Sequence, residues 1–225
     1  MISSKEYLMQ YLNENIRFSS LKYIHQYIER NDVKRIIEFG TSRVNFEGNS
    51  TIFLALLSFE NNAKFTSIDI DQNNILNAIE IVKQFDSDLV DKIEFVCEDQ
   101  YKYMQNYAEN PAQYVYLDCD DQKKHESLNA LLKSKILDSK ALICVDDLGF
   151  AAPNDQINRC QIDGVVDIAN SNSKLTPVEN RYIDFSKLNP EQMHHYNNNQ
   201  TLDNFKVYEK GVQQFEYQIL INYKK

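Results

Sequence analysis

Between Val33 and Val145, five apolar, β-rich runs alternate with stretches of helical length, and this alternation constrains the chain more than any other feature. The runs are Val33–Phe39, Lys64–Ile70, Ile93–Cys97, Tyr114–Leu117 and Ala141–Val145. Between them, Ser50–Phe59 has the composition of a buried helix. Asn73–Phe85 carries Ile75, Ile79 and Val82 on one face, and Gln100–Tyr107 and Lys123–Leu132 read as shorter helices. Strands joined by helix-length crossovers lie parallel, with helices on both faces of the sheet. The expected fold is therefore α/β: a doubly wound, mostly parallel sheet.

The flanks differ. Ser3 and Glu6 fit a capping box ahead of a first helix, and Leu21, Ile24 and Ile28 mark an apolar stripe on a second. After Gly149 the sequence turns Asn-rich, with one helix expected near Ile157–Ala169. Phe205–Glu209, Lys210-Gly211 and Phe215–Tyr223 then read as a hairpin closing the sheet. One domain is expected over 1–225: helices over 1–32, a ligand-binding core over 33–148, a substrate-covering insert over 149–203 and the closing hairpin over 204–225. A length of 225 residues suits one full core better than two.

A net charge of −9 repels phosphate backbones, so no nucleic-acid partner is expected. Four cysteines without a C-x-x-C pair read as reduced thiols of a cytoplasmic protein. No apolar run approaches the roughly 18 residues of a membrane helix, and the first residues lack the apolar core of a secretion signal. A small-molecule ligand is the expected partner, and a homo-oligomer is compatible with all of this. Lys34-Arg35 reads as the solvated start of the first strand, and His194-His195 as a solvated loop.

In open α/β sheets ligands bind beyond the carboxyl ends of the strands. There the five runs are followed by Glu38-Phe39-Gly40-Thr41-Ser42, Asp69-Ile70-Asp71, Glu98-Asp99-Gln100, Asp118-Cys119-Asp120-Asp121 and Asp146-Asp147. An acidic chain would supply some of these carboxylates by chance. Five strand ends on one edge argue for a site that holds cations.

With Glu38-Phe39-Gly40 and the acids after the second and third runs, residues 36–149 resemble the Rossmann-like methyltransferases. Within them, they resemble the small-molecule O-methyltransferases. The resemblance implies S-adenosylmethionine as cofactor. Glu38, Gly40, Thr41 and Ser42 would hold its methionine part, with Asp118 alongside. Asp69 would bind the ribose hydroxyls, and Asp99 with Gln100 the adenine. Asp71 competes with Asp69 but also suits the N-cap of the next helix. The family often has further glycines soon after the first; here Thr41–Asn49 supplies only Gly48, so the loop is longer or differently bent.

Asp118, Asp146 and Asp147 follow neighbouring strands and offer only oxygen donors, which suits Mg²⁺ or another divalent cation. Such a cation would lower the pKa of an acceptor hydroxyl and aim its oxygen. This set resembles the metal site of catechol-type O-methyltransferases, in which a lysine three residues after the first aspartate acts as base. Asp121 occupies that position here, leaving Lys123, Lys124 and His125 as substitutes, each expected on the solvated face of a helix. The reading is a methyltransferase with Asp118 and Lys124 as catalytic candidates. Its rivals are metal-free transfer to a hydroxyl or amine, a nicotinamide-dependent oxidoreductase and a non-catalytic binding protein. The oxidoreductase is disfavoured because a pyrophosphate wants G-x-G-x-x-G at a helix N-terminus, which Gly40-Thr41-Ser42 does not supply.

Overall fold

All five residues of β1 (Arg35–Phe39) are buried. A strand buried on both faces belongs in the middle of a covered sheet, and β1 lies there. It pairs in parallel with β2 (Lys64–Asp69) on one side and β4 (Ala112–Leu117) on the other. Beyond these, β3 (Ile93–Cys97) and β5 (Leu137–Val145) extend the parallel array. The strand β7 (Phe215–Tyr223) joins β5 antiparallel, and β6 (Leu175–Asp184) pairs antiparallel with β7 at the edge. The order across the sheet is β3-β2-β1-β4-β5-β7-β6. The computed structural model describes residues 18–41, 50–119, 123–146, 164–165, 167–184 and 215–224.

Alternate strand residues point to opposite faces and build two cores. Ile36, Phe65, Tyr114, Tyr116, Leu142, Cys144 and Leu220 meet α1 (Phe18–Arg30), α2 (Ser50–Glu60), α3 (Gln72–Phe85) and α4 (Ser87–Val90). Ile37, Phe39, Ile68, Val115, Leu117, Ile143 and Ile221 meet α5 (Gln100–Asn106), α6 (Lys124–Lys133) and the helical residues 164–165 and 167–171. Helix α2 is buried continuously from Ser50 to Ser58, as its composition requires. Ile24 and Ile28 of α1 are fully buried, and the Tyr27 hydroxyl donates to the Lys140 carbonyl at 2.5 Å, so this tyrosine serves packing. Among the described residues no helix is long and apolar enough to cross a membrane.

Two local expectations need correction. Arg35 is not a solvated start: it is the first residue of β1 and 5% exposed. Its guanidinium pairs with Glu109 at 2.7 Å and lies 5.6 Å from the Tyr107 ring centroid, which answers its charge without water. The closing antiparallel pair also differs. The partner of β7 is β6, inside the segment expected to cover substrate, with a register shift at Pro177/Glu179. A proline and several charges are tolerated in β6 because it is an edge strand, and they mask its periodicity. Phe205–Glu209 lies outside the described residues, as do Ser3, Glu6, the His194-His195 pair and most of the 149–203 segment.

Candidate functional site

The ends of β1, β2, β3 and β4 surround a cavity of about 390 Å³, lined by Gly40, Ile68, Asp69, Ile70, Asn74, Glu98, Asp99, Gln100, Tyr101, Asp118 and Cys119. It lies beside β1, where the strand order reverses direction, as the topology of an open α/β sheet dictates.

Gly40 joins the strands at this point. Its backbone has φ +90°, its N–H donates to the Ile68 carbonyl at 2.9 Å, and the Asp118 N–H donates to the Phe39 carbonyl at 2.8 Å. A Cβ here would lie 2.2 Å from the Asp118 carbonyl oxygen. The glycine is thus required by the close approach of β4 as well as by its left-handed backbone.

Asp69 ends β2 with its carboxylate fixed from three sides. Oδ1 accepts from the Asp71 N–H at 2.9 Å and the Asn74 amide at 3.1 Å, and Oδ2 accepts from the Thr41 N–H at 3.3 Å. Asp71 is the N-cap of α3, accepting from the Asn73 N–H at 2.8 Å. Asp69 thus lines the cavity and Asp71 starts the helix. Thr41 is buried, with its hydroxyl 3.4 Å from that of Thr51. Ser42 lies outside the described residues.

Asp99 lines the cavity and caps α5, accepting from the Lys102 N–H at 3.0 Å. Gln100 spans from the cavity wall to α6: its Nε2 donates to the Ser127 hydroxyl at 3.2 Å, and its Oε1 accepts from the Cys119 thiol. Asn74, Ile70, Tyr101 and Cys119 are cavity residues that the sequence reading did not single out. Asn74 carried a signal, since it stands in the first turn of a helix capped next to a strand-end acid.

Glu38 is fully buried behind the cavity rather than on its wall. Its Oε2 accepts from Thr51 at 2.8 Å and Ser67 at 2.6 Å. The Ser50 hydroxyl also faces the carboxyl, although no hydrogen bond of good geometry reaches Oε1. Burial pushes its pKa up to about 7; these hydroxyls offset the shift only in part.

Asp118 lines the cavity, and its Oδ1 lies 3.2 Å from the ammonium of Lys124. Lys124, expected on a solvated helix face, has no exposed side-chain surface. It sits on the inward stripe of α6 with Ser127, Leu128 and Leu131, and Lys123 takes the exposed position. Asp146 is fully buried and accepts from the Tyr116 hydroxyl. Asp147 lies outside the described residues. Among the described residues no group of three His, Cys, Asp or Glu side chains is placed to hold a metal ion.

No family model matches this chain, and no curated protein sequence does. Solved structures do. The O-methyltransferase from Bacillus cereus, in complex with SAH, superposes with a TM-score of 0.63 at 13% identity, over 98% of this chain and 90% of that one. The O-methyltransferase TomG from Streptomyces achromogenes, in complex with SAM, gives 0.60 at 14% identity, over 92% and 80%. The SAH-bound methyltransferase PaMTH1 of Podospora anserina gives 0.59 at 12%, over 92% and 78%. The chain has the methyltransferase fold: a seven-stranded mixed sheet, mostly parallel, with a C-terminal antiparallel pair.

Proposed function

We propose that this chain is an S-adenosylmethionine-dependent methyltransferase acting on an oxygen of a small molecule. The observation that carries the reading is Asp69. It is a carboxylate at the end of β2, anchored by backbone N–H groups and open to the cavity, where two hydroxyls of a ribose could donate to it. The solved neighbours in complex with SAH and SAM support it.

The residues fit the cofactor. Asp69 would take the ribose, Asp99 and Gln100 the adenine end, and Gly40, Thr41 and Asp118 the methionine end. When bound, S-adenosylmethionine supplies an electrophilic methyl group on a sulfonium sulfur. Asp69, Glu98, Asp99 and Asp118 give the cavity a negative field that favours a cation and opposes a pyrophosphate. Asp118 stands where β1 and β4 meet, placed to accept a hydrogen bond from an acceptor hydroxyl and to hold its oxygen in line.

Divalent-metal assistance through Asp118, Asp146 and Asp147 has weaker support. Asp118 is engaged by Lys124 and Asp146 by Tyr116, and among the described residues no three such side chains are grouped to hold a cation. Metal-free transfer, with Asp118 positioning a hydroxyl or amine, is the version the Lys124 contact favours.

S-adenosylhomocysteine should raise the melting temperature of the protein, because a ligand that binds only the folded state stabilises it by mass action. NADH should leave it unmoved. Stabilisation by NADH and not by S-adenosylhomocysteine would eliminate the methyltransferase reading.

A further inference from the structure

Glu38 is a carboxyl shut inside the protein, and the hydroxyls that meet it do not require its charge. Thr51 at 2.8 Å and Ser67 at 2.6 Å both donate to Oε2, and the carbonyl oxygen of a glutamine would accept from them as well. What a carboxylate adds at this depth is negative charge, which burial makes costly. The strand register shows what that charge faces. Glu38 lies beside Ser67 of β2, and Asp69 follows two residues later on the same face, about 7 Å along the strand. Asp69 lines the cavity, and its charge bears on Glu38. A second route joins the two through α2 and the residue after Gly40. The Thr51 hydroxyl that meets Glu38 lies 3.4 Å from the Thr41 hydroxyl, and the Thr41 N–H donates to Asp69 Oδ2 at 3.3 Å. Among the described residues, the other groups around Glu38 are Ser50 of α2 and two tyrosines of β4. Tyr114 feels its charge, and Tyr116, its register neighbour, donates its hydroxyl to Asp146.

We infer that Glu38 links the ligand cavity to pH: it holds its proton more tightly while the cavity is empty and releases it as a cationic ligand settles on Asp69. The identity of that ligand, S-adenosylmethionine, rests on the methyltransferase reading. In the empty protein, Glu38 and Asp69 are like charges on one face of the sheet, and their repulsion adds to burial in favouring the neutral carboxyl. A ligand that brings hydroxyl donors and positive charge to Asp69 answers that repulsion. The carboxyl O–H bond of Glu38 then breaks, the electron pair stays on the carboxylate, and the proton passes to the buffer. Because burial already places this titration at about 7, a partial release of the shift changes the charge near neutral pH. The linkage is reciprocal. A ligand that expels the proton is itself expelled by the proton, so affinity should rise with pH. Glu38 acts through Asp69 and Thr41 and not on the reacting atoms, so it is a positioning residue.

The test is calorimetric titration with S-adenosylmethionine at pH 7 in two buffers of different ionisation enthalpy, which counts the protons released. The wild type should release up to about half a proton more than Glu38→Gln, because a group titrating at about 7 is half protonated there. The amino group of the ligand titrates on its own near about 8, and the comparison with Glu38→Gln removes its share. From pH 6 to pH 8 the wild-type affinity should rise about fivefold more than that of Glu38→Gln. S-adenosylhomocysteine, which lacks the sulfonium charge, should show a smaller difference between the two proteins; an equal or larger one overturns the cationic cause. Equal proton counts and parallel pH profiles with S-adenosylmethionine overturn the inference. Should Glu38→Gln fail to fold, Ser67→Ala decides. Loss of a donor to the carboxylate should move the rise in affinity to higher pH, and an unmoved profile overturns the inference. Failure of both ligands to bind at any pH overturns the methyltransferase reading and the inference with it, whereas binding with equal proton counts overturns the inference alone.

Discussion

The carboxylates at the strand ends divide into two groups by how they are held. On the β2–β3 side, Asp69, Asp71 and Asp99 all accept from backbone N–H groups, Asp69 from Thr41 and Asp71, Asp71 from Asn73, and Asp99 from Lys102, with the Asn74 and Asn73 amides adding to the first two. At β1, β4 and β5, Glu38, Asp118 and Asp146 are met by side chains: Thr51 and Ser67, Lys124, and Tyr116. Backbone donors fix a carboxylate without surrounding it, and Asp69 and Asp99 remain on the cavity wall. Side-chain partners draw Glu38 and Asp146 wholly into the protein. Carboxylates at equivalent ends of one sheet thus line the cavity on one side and are buried on the other, with Asp118 between them.

Substitutions can break this division at different depths. The largest effect is expected at Gly40, on the seam between the groups. Gly40→Ala drives a Cβ to within 2.2 Å of the Asp118 carbonyl oxygen at φ +90°. It should cost more than about 3 kcal/mol in urea denaturation. A cost below about 1 kcal/mol would show that β1 and β4 can separate there.

Glu38→Gln tests the buried group through pH. Its folded pKa of about 7 lies above its ordinary value of 4.5, so the folded state holds the extra proton. Wild-type stability from this group should therefore be full below pH 4.5, fall as pH rises towards 7 and level off above it. The neutral amide removes that fall and should stabilise the protein at pH 8 by about 2–3 kcal/mol. An unchanged pH dependence would mean that Glu38 stays ionised in the fold.

The smaller effects concern the backbone-held group. Asp69→Ala should weaken S-adenosylhomocysteine binding about tenfold or more by calorimetry. Asp71→Ala should cost about 1 kcal/mol of stability as a lost cap and leave that affinity within about twofold. Reversal of the two results would interchange recognition and capping between these aspartates.

The five parallel strands were legible because burial on both faces leaves little but apolar residues in them, and the sheet order follows from their crossovers. The Asp71 cap was also legible, since an aspartate directly before a helical stretch has an evident use there. What escaped were charges taken inside. Lys123-Lys124-His125-Glu126 looks like a solvated helix start; the i, i+4, i+7 spacing of Lys124, Leu128 and Leu131 puts the lysine on the inward stripe, but nothing local shows the carboxylate it meets there. Glu38 looked like any strand-end acid. A clue existed in Thr51 and Ser67, hydroxyls placed within buried runs where they need a partner. Arg35 was hidden similarly, because its partner Glu109 is distant in sequence. Local pattern reports periodicity, whereas these pairings depend on contacts between elements far apart in the chain.

The position of β7 has a consequence for the order of assembly. It follows β6 along the chain but lies between β5 and β6 in the sheet, with Leu220 and Ile221 buried on opposite faces. While the polypeptide is still being synthesised, β1 to β5 can pair as each emerges from the ribosome, but β6 has no neighbour to join. The backbone of β5 keeps an open edge throughout that interval, a template for pairing with other nascent chains. Synthesis of β7 closes the edge and docks β6 in the same event, so β7 acts as the clasp of the sheet.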